Sequence, residues 1–389
     1  MAQNQRRFNI TNHQIPIPTL HQSTTNTTGT GTGTGTRASK TASSSDLSIL
    51  TRFHAGYFRI SLALCSQALL WKTLAEPTTD ARALSPIVRT IPSFAFILLW
   101  SIALLTLLLL CLLYLVRCFL QFKSVRAELA HHVGMNYLFA PWISFLMLLQ
   151  ATPFLQPNNR LYRILWCAFS VPIIVLDVKI YGQWFTQGKR FLSMVANPTS
   201  QITVIGNLVG AHVAAQMGWR ESAVCMFSLG ITHYLVLFVT LYQRFLGSDS
   251  LPAMLRPVFF LFIAAPSTAS LAWDSISSGF DTGCKMLFFL SLFLFASLVS
   301  RPALFKRSMR RFSVAWWAYS FPLTILALAA TEYAQDVKGV IPNVLMLVIS
   351  VLSVVVTLTL MVFTALKTND ILPHDDPFVS YNIARGTST

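Results

Sequence analysis

Apolar residues run in ten long stretches, 54–75, 91–121, 138–155, 161–185, 201–217, 220–245, 253–277, 282–300, 311–334 and 341–366, and the charged residues gather in the links between them. A helix of about 20 apolar residues spans the hydrocarbon core of a bilayer, where every backbone amide and carbonyl must be satisfied within its own segment. The alternating decamers of a membrane β-barrel are absent from the sequence. The pattern therefore predicts an all-α polytopic membrane protein.

Only Arg59, Asp177 and Lys179 carry formal charge well inside a stretch. Asp177 and Lys179 stand two apart on one helix, so they point to different faces and each needs another partner. Intramembrane charges pair or face a cavity, which makes Arg59 the expected partner of Asp177.

Flanking segments read differently. Residues 1–50 are polar, with a Gly-Thr alternation from Gly29 to Thr36, and bury too little apolar surface to offset ordering entropy. They are expected to be a disordered tail before a membrane domain over 51–366, and 367–389 form a second short tail. The sequons at Asn9 and Asn26 accept glycans only in a lumen, and Ser43 to Ser45 accept phosphate only in the cytosol. No basic segment with a short apolar run opens the chain, so the first span is expected to direct insertion.

Topology follows from the basic residues. With ten crossings, both termini share a side with the links after the second, fourth, sixth and eighth spans. That side holds nineteen Lys and Arg and the other eight, which predicts that both termini are cytoplasmic and that the sequons stay bare. The short links after the third, fifth and seventh spans join antiparallel neighbours in helical hairpins.

Composition narrows the function. Hydrophobic residues are 54% of the chain and charged residues 11%, against about a quarter charged in soluble domains. The net charge of +15 is spread between spans rather than on a compact basic domain, so nucleic acid is not an expected partner. The basic loop from Arg301 to Arg311 is an anchor against anionic lipid. Acids lie mostly in loops and tails, leaving no convergent set for catalysis. His212, His233 and six scattered cysteines lack metal-ligand or disulfide spacing, so no metal or cofactor is expected.

Helix breakers mark the odd-numbered spans. Pro322 follows Phe321 in an aromatic run and predicts a kink there; Pro141, Pro153 and Pro266 do the same elsewhere. Gly206 and Gly210 have close-packing spacing.

Several strings are similar to plant slow-type anion channels, which share their fold with bacterial TehA-type channels. They are Lys179-Ile-Tyr181-Gly-Gln-Trp184, Ala196-Asn197-Pro198, His233-Tyr-Leu-Val, Phe262-Ile-Ala-Ala-Pro266-Ser and Phe312-Ser-Val-Ala-Trp-Trp-Ala-Tyr-Ser-Phe321-Pro322. The resemblance runs from about Phe53 to Leu366. It implies ten transmembrane helices in five hairpins, with odd-numbered helices around a central pore in each protomer of a trimer.

The resemblance also implies a gate at Phe321, the aromatic before Pro322, which plugs the pore. A second pore aromatic of plant members lies five residues after the tryptophan of Ala-Pro-Trp; here Ala140-Pro141-Trp142 leads to Met147 as the pore-lining position. The expected function is a passive plasma-membrane channel for chloride or nitrate along a path free of carboxylates, whose positive surroundings attract anions without tight binding. The alternatives are a poorly conducting subunit that modulates a paralogous channel in a heteromer, and a coupled carrier of malate or other dicarboxylates with Asp177 in a proton step.

Overall fold

A computed structural model describes residues 53–75, 93–130, 132–186, 196–246, 253–306, 308–310 and 312–367. The expectations for the 1–50 tail, its sequons and serines, and nearly all of 367–389 lie outside these residues. Among the described residues there is no strand, and ten helices of twelve or more residues follow one another. They are α1 (Phe58–Ala75), α2 (Ser93–Leu120), α3 (Ala140–Ala151), α4 (Arg160–Thr186), α5 (Gln201–Gln216), α6 (Arg220–Leu246), α7 (Leu261–Ser277), α8 (Thr282–Val299), α9 (Ser320–Val337) and α10 (Val340–Leu366).

Among the described residues, eight helical segments are long and apolar enough to cross a membrane. The exceptions are α5, with 16 residues, and α1, which holds Arg59, Gln67 and Lys72 within 18. Both are buried against protein along most of their length, so neither needs a lipid-facing surface.

Burial sorts the helices into two layers. The segments containing α3, α7 and α9 are 83%, 78% and 94% buried, whereas those containing α2, α4, α6, α8 and α10 are only 17% to 33% buried. An apolar helix with so much exposed surface is stable only with its face in lipid. The odd helices touch in the order α1, α3, α5, α7, α9 and back to α1, closing a five-membered ring. Each even helix packs in the groove between the odd helix before it and the next around the ring.

The hairpin turns have a shared chemistry. Gly218 (φ 76°), Ser278 (φ 62°) and Lys338 (φ 48°) take left-handed backbone after α5, α7 and α9, which ends each helix and reverses the chain. At the other end, each odd helix follows a short turn: 55–57, 132–137, 198–200, 253–260 and 314–318. Successive turns touch, and the last reaches α1.

His54, Asn197 and Ser313 cap three of these turns with nearly the same extended backbone (φ −143°, −143° and −151°). The His54 ring accepts from the Gly56 amide at 3.0 Å and the Asn197 carbonyl oxygen from the Thr199 amide at 2.9 Å. The hairpin is thus a structural repeat with no repeated sequence.

Several expected kinks are absent. Pro322 lies in the first turn of α9 and Pro141 in the first turn of α3, where a missing amide hydrogen is no loss. Pro153 falls beyond the end of α3. Pro266 is inside α7, as expected, but Pro172 is inside the even-numbered α4, so the breakers are not confined to odd helices. Gly206 and Gly210 do mark close packing: a Cβ on Gly206 would meet Ile173 and Phe139 at 3.3 Å, and one on Gly210 would collide with Met226.

Candidate functional site

Within the ring, at the C-terminal ends of the odd helices, lies a cavity of about 440 Å³. All five contribute: Leu69, Lys72 and Thr73 from α1, Gln150 from α3, His212 and Gln216 from α5, Leu271 from α7, and Leu328 and Glu332 from α9. The Lys72 ammonium donates to the Gln150 carbonyl at 2.8 Å, and His212 and Gln216 side chains meet at 3.0 Å, so the polar part of the wall is internally braced beside the apolar Leu69, Leu271 and Leu328.

This placement corrects one expectation. The expected path was free of carboxylates, whereas the cavity wall carries Glu332, opposite in sign to Lys72. Glu332 lies near the end of the expected span 311–334; the helix runs on to Val337 and carries the side chain to the cavity wall.

Phe321 stands on the same face of α9 as the cavity wall. Leu328 and Glu332 are seven and eleven residues further on, about two and three turns, and therefore share its direction. The flanks of α9 are already committed. Ser320 meets Thr357 of α10 at 2.7 Å, and the Thr324 hydroxyl donates to Gln67 of α1 at 2.9 Å and lies 2.9 Å from Ser353 of α10. Phe321 is 2% exposed, in the first turn of its helix, at the N-terminal end of the ring.

Met147 projects inward by the same logic. Ser144 meets Ser61 of α1 at 3.2 Å, while Ile143 lies against the α5 backbone at Gly206. Met147 is three residues beyond one and four beyond the other, so it points between them, toward the ring interior, and is buried.

The intramembrane charges do not join this set. Asp177 is buried between α4 and α5, where the Asn207 amide donates to it at 2.6 Å, and it is not part of the cavity wall. Arg59 does not pair with it, contrary to expectation. The Arg59 Nε donates to the Gly56 carbonyl at 2.8 Å and its guanidinium lies 4.8 Å over the Tyr137 ring. The two residues belong to different sides of α3, which separates them. Lys179 is exposed on the opposite face of α4 from Asp177, where a long stem carries its charge toward water.

His233 is also off the axis, stacked on Tyr181 with ring centroids 3.4 Å apart. His212 faces the cavity and meets Gln216 one turn further along α5. A helix spacing would have found the companion that sequence reading missed: Gln201 is eleven residues before His212, hence on the same inner face, and is fully buried.

The voltage-dependent anion channel family, SLAC1, matches residues 52–365. The chain is 57% identical over 329 residues to the S-type anion channel SLAH1 of Arabidopsis thaliana, covering 85% of each chain. It is 54% identical over 329 residues to the S-type anion channel SLAH4 of the same plant, covering 85% of this chain and 87% of that one. A tellurite resistance protein TehA homolog of Haemophilus influenzae is 25% identical over 72% of this chain and 80% of its own. SLAH1 and SLAH4 are both named S-type anion channels, and the chain belongs to the SLAC1 family of voltage-dependent anion channels, not to an enzyme family.

Proposed function

We propose that the ring of odd helices is a passive conduit for chloride and nitrate, plugged by Phe321. One observation carries this reading: Phe321 shares its helix face with Leu328 and Glu332, which line a cavity to which all five inner helices contribute. An apolar ring across that axis excludes water and ions until it swings aside. Its partly positive edge tolerates a passing anion better than a cation. Met147 lines the same path, adding a flexible thioether where a second ring would narrow it.

All ten helices cross the plasma membrane in this reading, with α1 and α5 shielded by the others, and both termini are cytoplasmic. The nineteen basic residues on the terminal side support that orientation. It places Phe321 near the cytoplasmic mouth and the cavity toward the outside. The homotrimer rests on the family resemblance.

A dicarboxylate carrier using Asp177 has less support, because that carboxyl lies outside the cavity wall, held by Asn207.

Voltage-clamp recording of Phe321→Ala tests the proposal. The expected result is a current larger than that of the unaltered channel at equal surface amount, with a reversal potential that follows the chloride or nitrate gradient. A reversal potential indifferent to both anions overturns it. Native current appearing only with a paralogous channel, while Phe321→Ala conducts alone, favours the modulating-subunit reading.

A further inference from the structure

Two guanidiniums and one carboxylate, Arg59, Arg117 and Glu128, are buried where the chain enters α1. Glu128 is fully engaged, bound by Arg117 and by the Ala55 amide at 2.6 Å. Arg59 is left with its bond to the Gly56 carbonyl and the Tyr137 ring, and its Nη1 has no partner although the residue is only 6% exposed. A guanidinium out of water without a counter-charge is costly, and the local sum is one positive charge in excess.

A second unpartnered group is near the same level. Gln201 is 0% exposed, and neither its Nε2 nor its Oε1 has a partner. It is the first residue of α5, as Arg59 is the second of α1 and Phe321 the second of α9. Because the turns before these helices touch around the ring, the three residues lie at one height. A short path of contacts connects the first two. Arg59 covers Tyr137, whose neighbour Asn136 donates to Thr199 at 3.1 Å and Ser200 at 3.2 Å, immediately before Gln201.

We infer that Arg59 and Gln201 form a site for a small monovalent inorganic anion at the N-terminal mouth of the ring, on the approach to Phe321. This deepens the pore reading and rests on it. The guanidinium fork offers parallel donors to a planar oxyanion of the nitrate type, which should bind ahead of spherical chloride. Gln201 supplies a neutral donor and no second cation, matching a single negative charge. The turns that lead into α1, α3 and α5 touch one another on this side of the ring, so the positive ends of the three helices share it.

The test has two arms. In the first, the purified full-length protein is melted in nitrate, chloride and gluconate at constant ionic strength. Nitrate is expected to stabilise it at lower concentration than chloride, and Arg59→Gln should raise the half-saturating nitrate concentration about tenfold, the value of one hydrogen bond to a charged group. In the second, Phe321→Ala channels with or without Arg59→Gln are recorded against increasing nitrate on the cytoplasmic side, with the same expected shift.

Gln201→Leu is the companion variant in both arms and is expected to shift saturation in the same direction, so the result does not depend on Arg59→Gln reaching the membrane. Melting curves that do not distinguish nitrate from gluconate, or saturation unchanged in both variants, overturn the site. Phe321→Ala channels without anion current overturn the pore reading, and the melting arm then decides the site alone.

Discussion

Lys72 and Glu332 lie in the wall of one cavity of about 440 Å³, so neutralising either one tilts the field an anion meets there. A sphere of that volume has a radius of about 5 Å. At that distance a unit charge in a water-like medium shifts the energy of an anion by ~0.8 kcal/mol, which is about fourfold in local concentration. The wall mixes Lys72, Gln150, His212 and Gln216 with Leu69, Leu271 and Leu328, so the water-like value gives the smallest effect expected and a drier cavity enlarges it.

Glu332→Gln should therefore raise anion flux from the cavity side about fourfold, and Lys72→Gln should lower it by a similar factor. The assay is rectification in Phe321→Ala channels at low ionic strength, where screening reaches about 30 Å. At about 1 M salt the screening length falls to ~3 Å, less than the cavity radius, and both effects should collapse. Changes of the same sign in the two variants, or effects that survive 1 M salt, refute the electrostatic reasoning.

Three further outcomes follow from packing and capping. The Asp281 carboxylate accepts from the Cys284 amide and the Trp273 indole, both at 3.0 Å, which holds its pKa below the usual range. Its stabilisation is thus complete above the unfolded value of about 4 and fades as pH falls through the lower folded one. Asp281→Ala should cost ~1 kcal/mol at neutral pH and flatten the acid limb of the melting curve. Gly134→Ala should impair folding more than Gly210→Ala, read by detergent-solubilised yield. The added methyl meets the Glu128 backbone oxygen at 2.9 Å in one case and the flexible end of Met226 in the other. Met147→Phe should reduce the current of Phe321→Ala channels, and an unchanged current would place Met147 off the path.

Much of the fold was readable from the hydrophobic pattern, since long apolar helices have one stable solution in lipid. The division into inner odd and outer even helices came through the family resemblance, although mean hydropathy also follows it: 1.3 to 1.4 in the segments of α3, α7 and α9 against 1.8 to 2.9 in those of the even helices. Pro322 misled for a local reason: its effect depends on whether the helix begins before or after it, and α9 begins at Ser320. The fivefold repeat escaped notice because histidine and asparagine serve the same capping geometry.

At the site, Phe321 and Met147 were reached through family resemblance, whereas Lys72 and Glu332 meet in one cavity from the far ends of α1 and α9. No spacing rule links residues so distant in sequence. Pairing Arg59 with Asp177 failed because charge complementarity ignores position in the ring. Gln201 was within reach, being three turns from His212 on one helix.

Conductance as a function of side-chain size at position 321 tests the central claim most directly. Phe321 replaced in turn by Leu, Val, Ala and Gly, with surface protein quantified for each, should give anion current that rises as the side chain shrinks. Equal currents throughout the series, from equal amounts of protein at the membrane, would mean that the ring blocks nothing.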